Sequence, residues 1–194
     1  KDRIILLDKL CHSCGACELA CPNDAISYTK RSIGIIEKGK KGNILCKRGI
    51  LDIGEPMAVP VLNKLLKDLP KDEINILDSP PGTSCNVVNI LNHGDKAILV
   101  TEPTAFGLHD LKMAVELVRE FNIPFGLIIN KYDEKNQYLK EYIEDERLNV
   151  LGNIPYDRNI AEIYSRGEML IDTREYKKIF QNIIDTMGEV LLCD

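Results

Sequence analysis

Four cysteines within eleven residues constrain this chain more than any other feature of its 194 residues. They run Cys11-His-Ser-Cys14-Gly-Ala-Cys17-Glu-Leu-Ala-Cys21-Pro22, a C-x2-C-x2-C-x3-C-P spacing. Two-residue gaps let a tight loop wrap three thiolates around one face of a cubane cluster. Gly15 gives the backbone room to turn, and Pro22 redirects it after the fourth thiolate. A zinc ribbon needs two separated cysteine pairs, which this sequence lacks. The total of seven cysteines is odd, which argues against a closed disulfide framework. The opening Lys1-Asp2-Arg3 leads only into a short apolar run, too short for a secretory core, so the expected setting is a reducing one, the cytoplasm. The pattern therefore points to [4Fe–4S] chemistry, with Cys11, Cys14, Cys17 and Cys21 as ligands.

The same spacing carries a complication. In two-cluster ferredoxins the cysteine before proline ligates the other cluster, whose remaining ligands come from a second copy of the motif. Only one copy is present here. Cys11, Cys14 and Cys17 then hold one cluster short of a ligand, and Cys21 serves a second. Both gaps close if another motif lies upstream of Lys1, and a chain opening on lysine rather than methionine is expected to have such a segment. Cys46 is an alternative fourth ligand, although a core or accidental cysteine is the plainer reading for it and for Cys193.

Apolar residues make up 44 % and charged residues 28 %, as in ordinary globular chains. The net charge is −5, which argues against a general nucleic-acid binder. No apolar run approaches the length of a transmembrane helix.

The texture divides near residue 50. Residues 1–50 suggest short strands at 3–7, 25–28, 34–37 and 43–46, punctuated by glycines. So small a core usually needs a metal or covalent staple. From about Ile50 onward, apolar runs at 74–77, 97–100, 125–129 and 150–154 alternate with candidate helices at 56–69, 84–91, 107–121, 135–147 and 175–192. The third helix places Leu108, Leu111, Ala114, Val115 and Val118 on one face. This alternation predicts an α/β fold with a mostly parallel, doubly wound sheet covered on both faces, beside a small ferredoxin-like iron–sulfur insert. In such sheets ligands bind beyond the carboxyl ends of the strands.

Three segments stand in that position. The run at 74–77 ends in Asp78-Ser-Pro-Pro-Gly82-Thr-Ser, where a terminal carboxylate suits Mg²⁺ and Gly82 can bring its N–H to a phosphate. A helix cap or turn is the bland alternative for Asp78. The run at 125–129 ends in Asn130-Lys131-Tyr132-Asp133, an N-K-x-D pattern whose Asn offers a donor and an acceptor to a purine edge, while the Asp could meet a guanine amino group. Pro155, in Ile154-Pro155-Tyr156-Asp157, sits in the equivalent place one strand on, positioned to close over the base. His12, His93 and His109 show no ligand spacing, and His109 reads best as a helix-start residue. Lys38, Lys40 and Lys41 read as a solvated hairpin. No G-x4-G-K-[ST] phosphate loop occurs in the 194 residues.

Taken together, the cysteine motif, Ile50-Leu-Asp-Ile-Gly-Glu-Pro-Met-Ala, Asp78-Ser-Pro-Pro-Gly-Thr-Ser-Cys85, Thr101-Glu-Pro-Thr-Ala-Phe-Gly-Leu-His-Asp110 and Ala161-Glu-Ile-Tyr-Ser-Arg-Gly167 resemble the MinD/Mrp group of P-loop ATPases that carry an inserted ferredoxin domain. The resemblance covers essentially the whole chain in the family's order. It implies that residues 1–50 are the second half of the insert with its connecting hairpin, and 51–194 the carboxyl-terminal part of the ATPase. It implies a Walker A loop and a first cluster motif upstream of Lys1. It also implies Asp78 as the catalytic and Mg²⁺ position, Gly82 as a switch glycine, Asn130 as the purine contact, and ATP in preference to GTP. The expected protein is an iron–sulfur ATPase coupling nucleotide turnover to electron or cluster transfer, with a redox or iron–sulfur acceptor protein as partner and a homodimer as a possible assembly. The alternative is a non-enzymatic [4Fe–4S] carrier or scaffold with a degenerate nucleotide-binding domain. The residues in hand, lacking the lysine loop, are expected to be inactive in hydrolysis.

Overall fold

The computed structural model describes residues 5, 7, 10–11, 13–67, 69–135 and 137–191. His12, Cys193 and most of the strand expected at 3–7 lie outside the described residues. The chain divides into two compact units, Lys1–Asp78 and Ser79–Asp194.

The first unit holds a one-turn helix α1 (Ala16–Leu19), an antiparallel ribbon of β1 (Gly34–Lys41) and β2 (Ile44–Leu51), and helix α2 (Val59–Leu66). Lys41 faces Ile44 across a two-residue turn, in which Gly42 adopts φ +58°, a conformation glycine takes without strain. Gly49 lets Val61 of α2 settle onto the ribbon: a Cβ at Gly49 would lie 2.6 Å from the Val61 Cγ1. The hairpin falls where the glycine punctuation suggests, with strands longer than expected at both ends. Residues 25–28 form no strand.

The second unit runs α3 (Cys85–Leu91), β3 (Ala97–Thr101), α4 (Ala105–Glu120), β4 (Phe125–Tyr132), α5 (Lys140–Asp145), β5 (Val150–Pro155), α6 (Arg158–Ser165), a 3-10 turn at Leu170–Asp172, and α7 (Arg174–Leu191). Its strands form a parallel sheet in the order β3-β4-β5. Side chains alternate across β4. Leu127 and Ile129 pack on one face with Leu111 and Val115 of α4, Leu139 and Leu148. Ile128 packs on the other with Leu151, Ile183 and Leu191. Leu127 and Val115 are fully buried. Each such side chain contributes about 1.5–3 kcal/mol of transfer free energy as an upper bound.

Helices therefore cover both faces of β4. β3 differs: Leu99 joins the first cluster, but Ile98 and Val100 on the opposite face are 45 % and 63 % exposed. The run at 74–77 forms no strand among the described residues, and Ile74 and Ile76 are almost fully exposed. An apolar run becomes a strand only when another strand supplies its hydrogen bonds. No helix among the described residues is long and apolar enough to cross a membrane.

Candidate functional site

The cysteine motif is built by local turns. Ser13 and Gly15 take positive φ, 51° and 82°, and Gly15 precedes the single turn of α1 that carries Cys17. Cys11, Cys14, Cys17 and Cys21 are all free thiols, none of them deeply buried. Their surroundings split the set. The Tyr28 hydroxyl is held above its ordinary range by desolvation first, then by the charge and hydrogen bonding of Cys17 and the charges of Cys11 and Cys14. Cys21 lies in a different environment: the Ala25 N–H donates to its Sγ at 3.3 Å. With further backbone donation from Asn23 and Ile26, this lowers its pKa toward the thiolate.

The donor chemistry fits an iron–sulfur centre. It supplies cysteine sulfurs only, with Tyr28 close to Cys17 and a backbone N–H donated to Cys21. No group of three or more His, Cys, Asp or Glu side chains among the described residues is gathered tightly enough for a single metal ion. A cubane spaces its thiolates more widely than one ion does. Cys46 is exposed on β2, which sets aside a core role and leaves the reading of an accidental cysteine.

In the second unit the carboxyl ends of the strands converge on one edge. Thr101 ends β3 buried, and its hydroxyl donates to the Gly107 carbonyl at 2.9 Å. Thr104 caps α4 by accepting the Gly107 N–H at 2.9 Å. A Cβ on Gly107 would lie 2.1 Å from the Glu102 carbonyl oxygen, so this turn closes around glycine. Glu102 in turn pairs with Lys131 Nζ at 2.7 Å, tying the end of β3 to the end of β4.

Asn130 is half-buried near the end of β4, and its Oδ1 accepts the Lys131 N–H at 3.0 Å, with Lys131 at φ 52°. Asp133 accepts the Lys135 N–H at 3.0 Å in a local turn. The register of β4 and β5 slips after Ile129 and resumes at Tyr132 with Pro155. The Tyr156 N–H then donates to the Tyr132 carbonyl at 3.0 Å. This extended pairing sets Pro155 and Tyr156 beside the Asn130 segment. Tyr156 is 75 % exposed.

Asp157 closes the edge. One carboxylate oxygen caps α6 through the Asn159 N–H at 2.8 Å, and the other accepts the hydroxyl of buried Tyr176 at 2.5 Å. These two bonds hold its carboxyl below the usual carboxylate range, while the same bond and burial push Tyr176 up to about 12. Gly82 is exposed with φ 89° and open space around its α-carbon. Asp78 is exposed in the irregular stretch that ends the first unit, and Gly82 lies in the second. Just after Gly82, the Asn86 Oδ1 in the first turn of α3 is buried with no hydrogen-bond partner, an acceptor open to a donor from a ligand. His109 is exposed on α4. A cavity of about 440 Å³ lies elsewhere, lined by Pro124, Phe125, Asn149 and Leu191 at the amino ends of β4 and β5.

Sequence reasoning missed Asn86, the Glu102–Lys131 pair and Tyr176. Only the last carried a signal, as an aromatic at the start of an otherwise amphipathic helix.

Fold and motifs together are those of a nucleotide-binding α/β protein with an iron–sulfur segment, and comparison with known proteins agrees. Residues 32–190 match the ParA family described as NUBPL iron-transfer P-loop NTPase, and residues 5–27 match a 4Fe-4S binding domain. The chain belongs to this P-loop NTPase family, in the MinD/Mrp superfamily. An uncharacterized protein of Methanocaldococcus jannaschii is 34 % identical over 94 % of this chain and 64 % of its own length. An iron-sulfur cluster carrier protein of Aquifex aeolicus is 30 % identical over 60 % of this chain and 37 % of its own length. The chain therefore spans only about one third to two thirds of these relatives. The cell division ATPase MinD of Pyrococcus furiosus shares the fold, with a TM-score of 0.54 at 21 % identity, over 66 % of this chain and 57 % of that one.

Proposed function

We propose that the protein is an iron–sulfur ATPase of the cytoplasm that passes a [4Fe–4S] cluster to an acceptor protein under control of ATP. The observation that carries this reading is the joining, in one chain, of a four-cysteine 4Fe-4S motif to a P-loop NTPase sheet. Cys11, Cys14 and Cys17 would hold one cluster and Cys21 would contribute to a second, each completed by ligands from another copy of the motif.

Asn130 is half-buried near the end of β4, with Pro155 and Tyr156 set beside its segment, which supports the reading of this edge as the purine site. Asn130 orients its amide by spending Oδ1 on the Lys131 N–H, which leaves the amide N–H₂ to address a ring nitrogen. Asp78 would hold Mg²⁺, which supplies charge neutralisation at the phosphates, and Gly82 would present its N–H to the terminal phosphate. ATP is preferred to GTP on the family resemblance, and Asp133 accepts the Lys135 N–H through Oδ1 in its own turn. The MinD-type fold also makes a homodimer the expected assembly.

A second reading, a carrier or scaffold that does not hydrolyse nucleotide, is favoured for the 194 residues alone by the lack of a lysine phosphate loop. Anaerobic reconstitution with iron and sulfide tests the first reading. Substoichiometric, labile iron with broad absorbance near 400 nm is expected for these 194 residues, and full occupancy when an upstream motif is supplied. In that longer form Cys17→Ser should damage one centre and Cys21→Ser the other. Stoichiometric zinc without iron would reject the cluster. A sub-micromolar ATP affinity of the 194-residue chain by calorimetry would show that its phosphates are held without the lysine loop.

A further inference from the structure

The geometry points to the β1–β2 ribbon as a docking surface for an acidic protein, which under the reading above is the cluster acceptor. Residues 30–51 hold seven lysines and arginines against one acid, Glu37, in a chain whose net charge is −5. Both arginines of the stretch are engaged: Arg48 Nε pairs with Glu37 at 2.6 Å, and Arg31 forms a two-pronged pair with Glu55. Among the described residues no carboxylate pairs with Lys38, Lys40 or Lys41.

The register concentrates this charge. Lys38 stands directly opposite Lys47, with Lys40 on the same face one step nearer the turn and Lys41 beside the turn on the other face. Lysines spaced along an edge would suffice to block strand-to-strand aggregation. Lys38 and Lys47 face each other across the ribbon, which adds positive charge density without adding edge protection.

The surroundings select the kind of anion. Lys40 faces Leu45 on the face that carries Lys38 and Lys47, Lys41 faces Ile44 on the other, and the two aliphatic side chains are 52 % and 73 % exposed. Aliphatic patches interleaved with cations suit a protein surface that offers carboxylates around an apolar centre. Residues 30–51 contain no Phe, Tyr, Trp or His. The ribbon therefore lacks the stacking platforms used on single-stranded nucleic acid and the aromatic anchors that seat a segment in a bilayer. Lysine is a strongly hydrated point charge, suited to steering an encounter rather than to fixing a buried pair.

The test uses the 194-residue chain and, as probe, a small acidic apo-ferredoxin, with binding followed by calorimetry at rising salt. Micromolar or weaker binding is expected, falling with ionic strength. Lys38→Glu/Lys40→Glu/Lys41→Glu should lower it by about tenfold or more at low salt, with unchanged circular dichroism. A Lys38→Ala/Lys40→Ala/Lys41→Ala triple should lower it less, and Lys177→Glu/Lys178→Glu on α7 should leave it intact. Binding indifferent to the ribbon, or no binding at low salt, overturns the proposal. So does tighter ribbon-dependent binding to phosphatidylserine vesicles or to duplex DNA than to the ferredoxin. If docking holds but no cluster moves from the loaded longer form, the docking surface stands and the transfer reading fails.

Discussion

The two units reach order by different means. Of the fourteen buried hydrophobic side chains among the described residues, only Leu66 belongs to the first unit; the rest line the sheet and helices of the second. The second unit is held by side chains interdigitated on both faces of β4. The first has a ribbon, two short helices and exposed thiols, with Ile35, Ile44, Leu45 and Ile53 at the surface. A unit with so little core needs another source of stability, and an all-thiolate site is one that a chemical group can supply from outside the polypeptide. Under the proposed function, structure and cargo would be coupled in the first unit, while the second is ordered by its own core.

The largest test of that contrast is a matched truncation. Leu127→Ala removes a fully buried side chain between α4 and the sheet and should cost about 2–5 kcal/mol. Ile35→Ala, at a side chain 53 % exposed on the ribbon, should stay within about 0.5 kcal/mol. Hydrogen exchange read peptide by peptide separates the units without assuming one cooperative transition. Equal losses at both sites would show that the ribbon is packed as tightly as the sheet.

Next in size is the effect of Asp78→Asn in a longer form that turns over ATP. The amide keeps the volume and removes the charge proposed to hold Mg²⁺, and turnover should fall about 10²-fold or more. Asp78 is exposed, so cluster absorbance should persist. Undiminished turnover would leave Asp78 a turn residue. Loss of cluster absorbance would show that the first unit depends on this carboxylate, which sharpens the contrast in the opposite direction.

Much of the second unit was legible in the sequence because its signals are local and periodic. The apolar stripe of α4 reports one buried face and the continuous apolar run at 125–129 reports two, and a buried face implies a partner layer. The thiol spacing was legible for the same reason. The run at 74–77 misled because β propensity says nothing about which strand completes the ladder. Helix α6 escaped because Arg158, Asn159 and Glu162 interrupt its apolar pattern and Asp157, its cap, looked like part of the base motif. Helix α5 starts later than the sequence pattern suggests because Asp133 spends its carboxylate on a turn with the Lys135 N–H, and 138–139 form a further turn before Lys140. The edge at Asn130 was half legible. Its position followed from the strand, but the Glu102–Lys131 pair and the Asp157–Tyr176 bond join residues far apart in sequence.

That last bond gives the smallest and most specific prediction. Asp157 titrates below the ordinary carboxylate value of 3.8 because Tyr176 and the Asn159 N–H favour its charged form. Its contribution to stability is therefore present above that ordinary value and is lost as pH falls through the lower, folded one. Tyr176 behaves with the opposite sign. Its folded pKa is raised from 10 to about 12, so its contribution is complete below pH 10 and disappears as pH rises toward 12. Tyr176→Phe deletes the hydroxyl and leaves the buried ring, so it should remove the alkaline limb and shrink the acid limb, part of which the Asn159 N–H sustains, while changing the midpoint at neutral pH only modestly. Denaturant midpoints of the wild type and of Tyr176→Phe across the acid and alkaline ranges measure the difference. The two curves should converge at both extremes and separate between them, since the bond exists only when Asp157 is charged and Tyr176 is not. A constant gap at every pH would mean that the substitution acts through packing of the ring. Asp157 would then be left to cap α6 alone, and the loop carrying Pro155 and Tyr156 would lose its tie to α7.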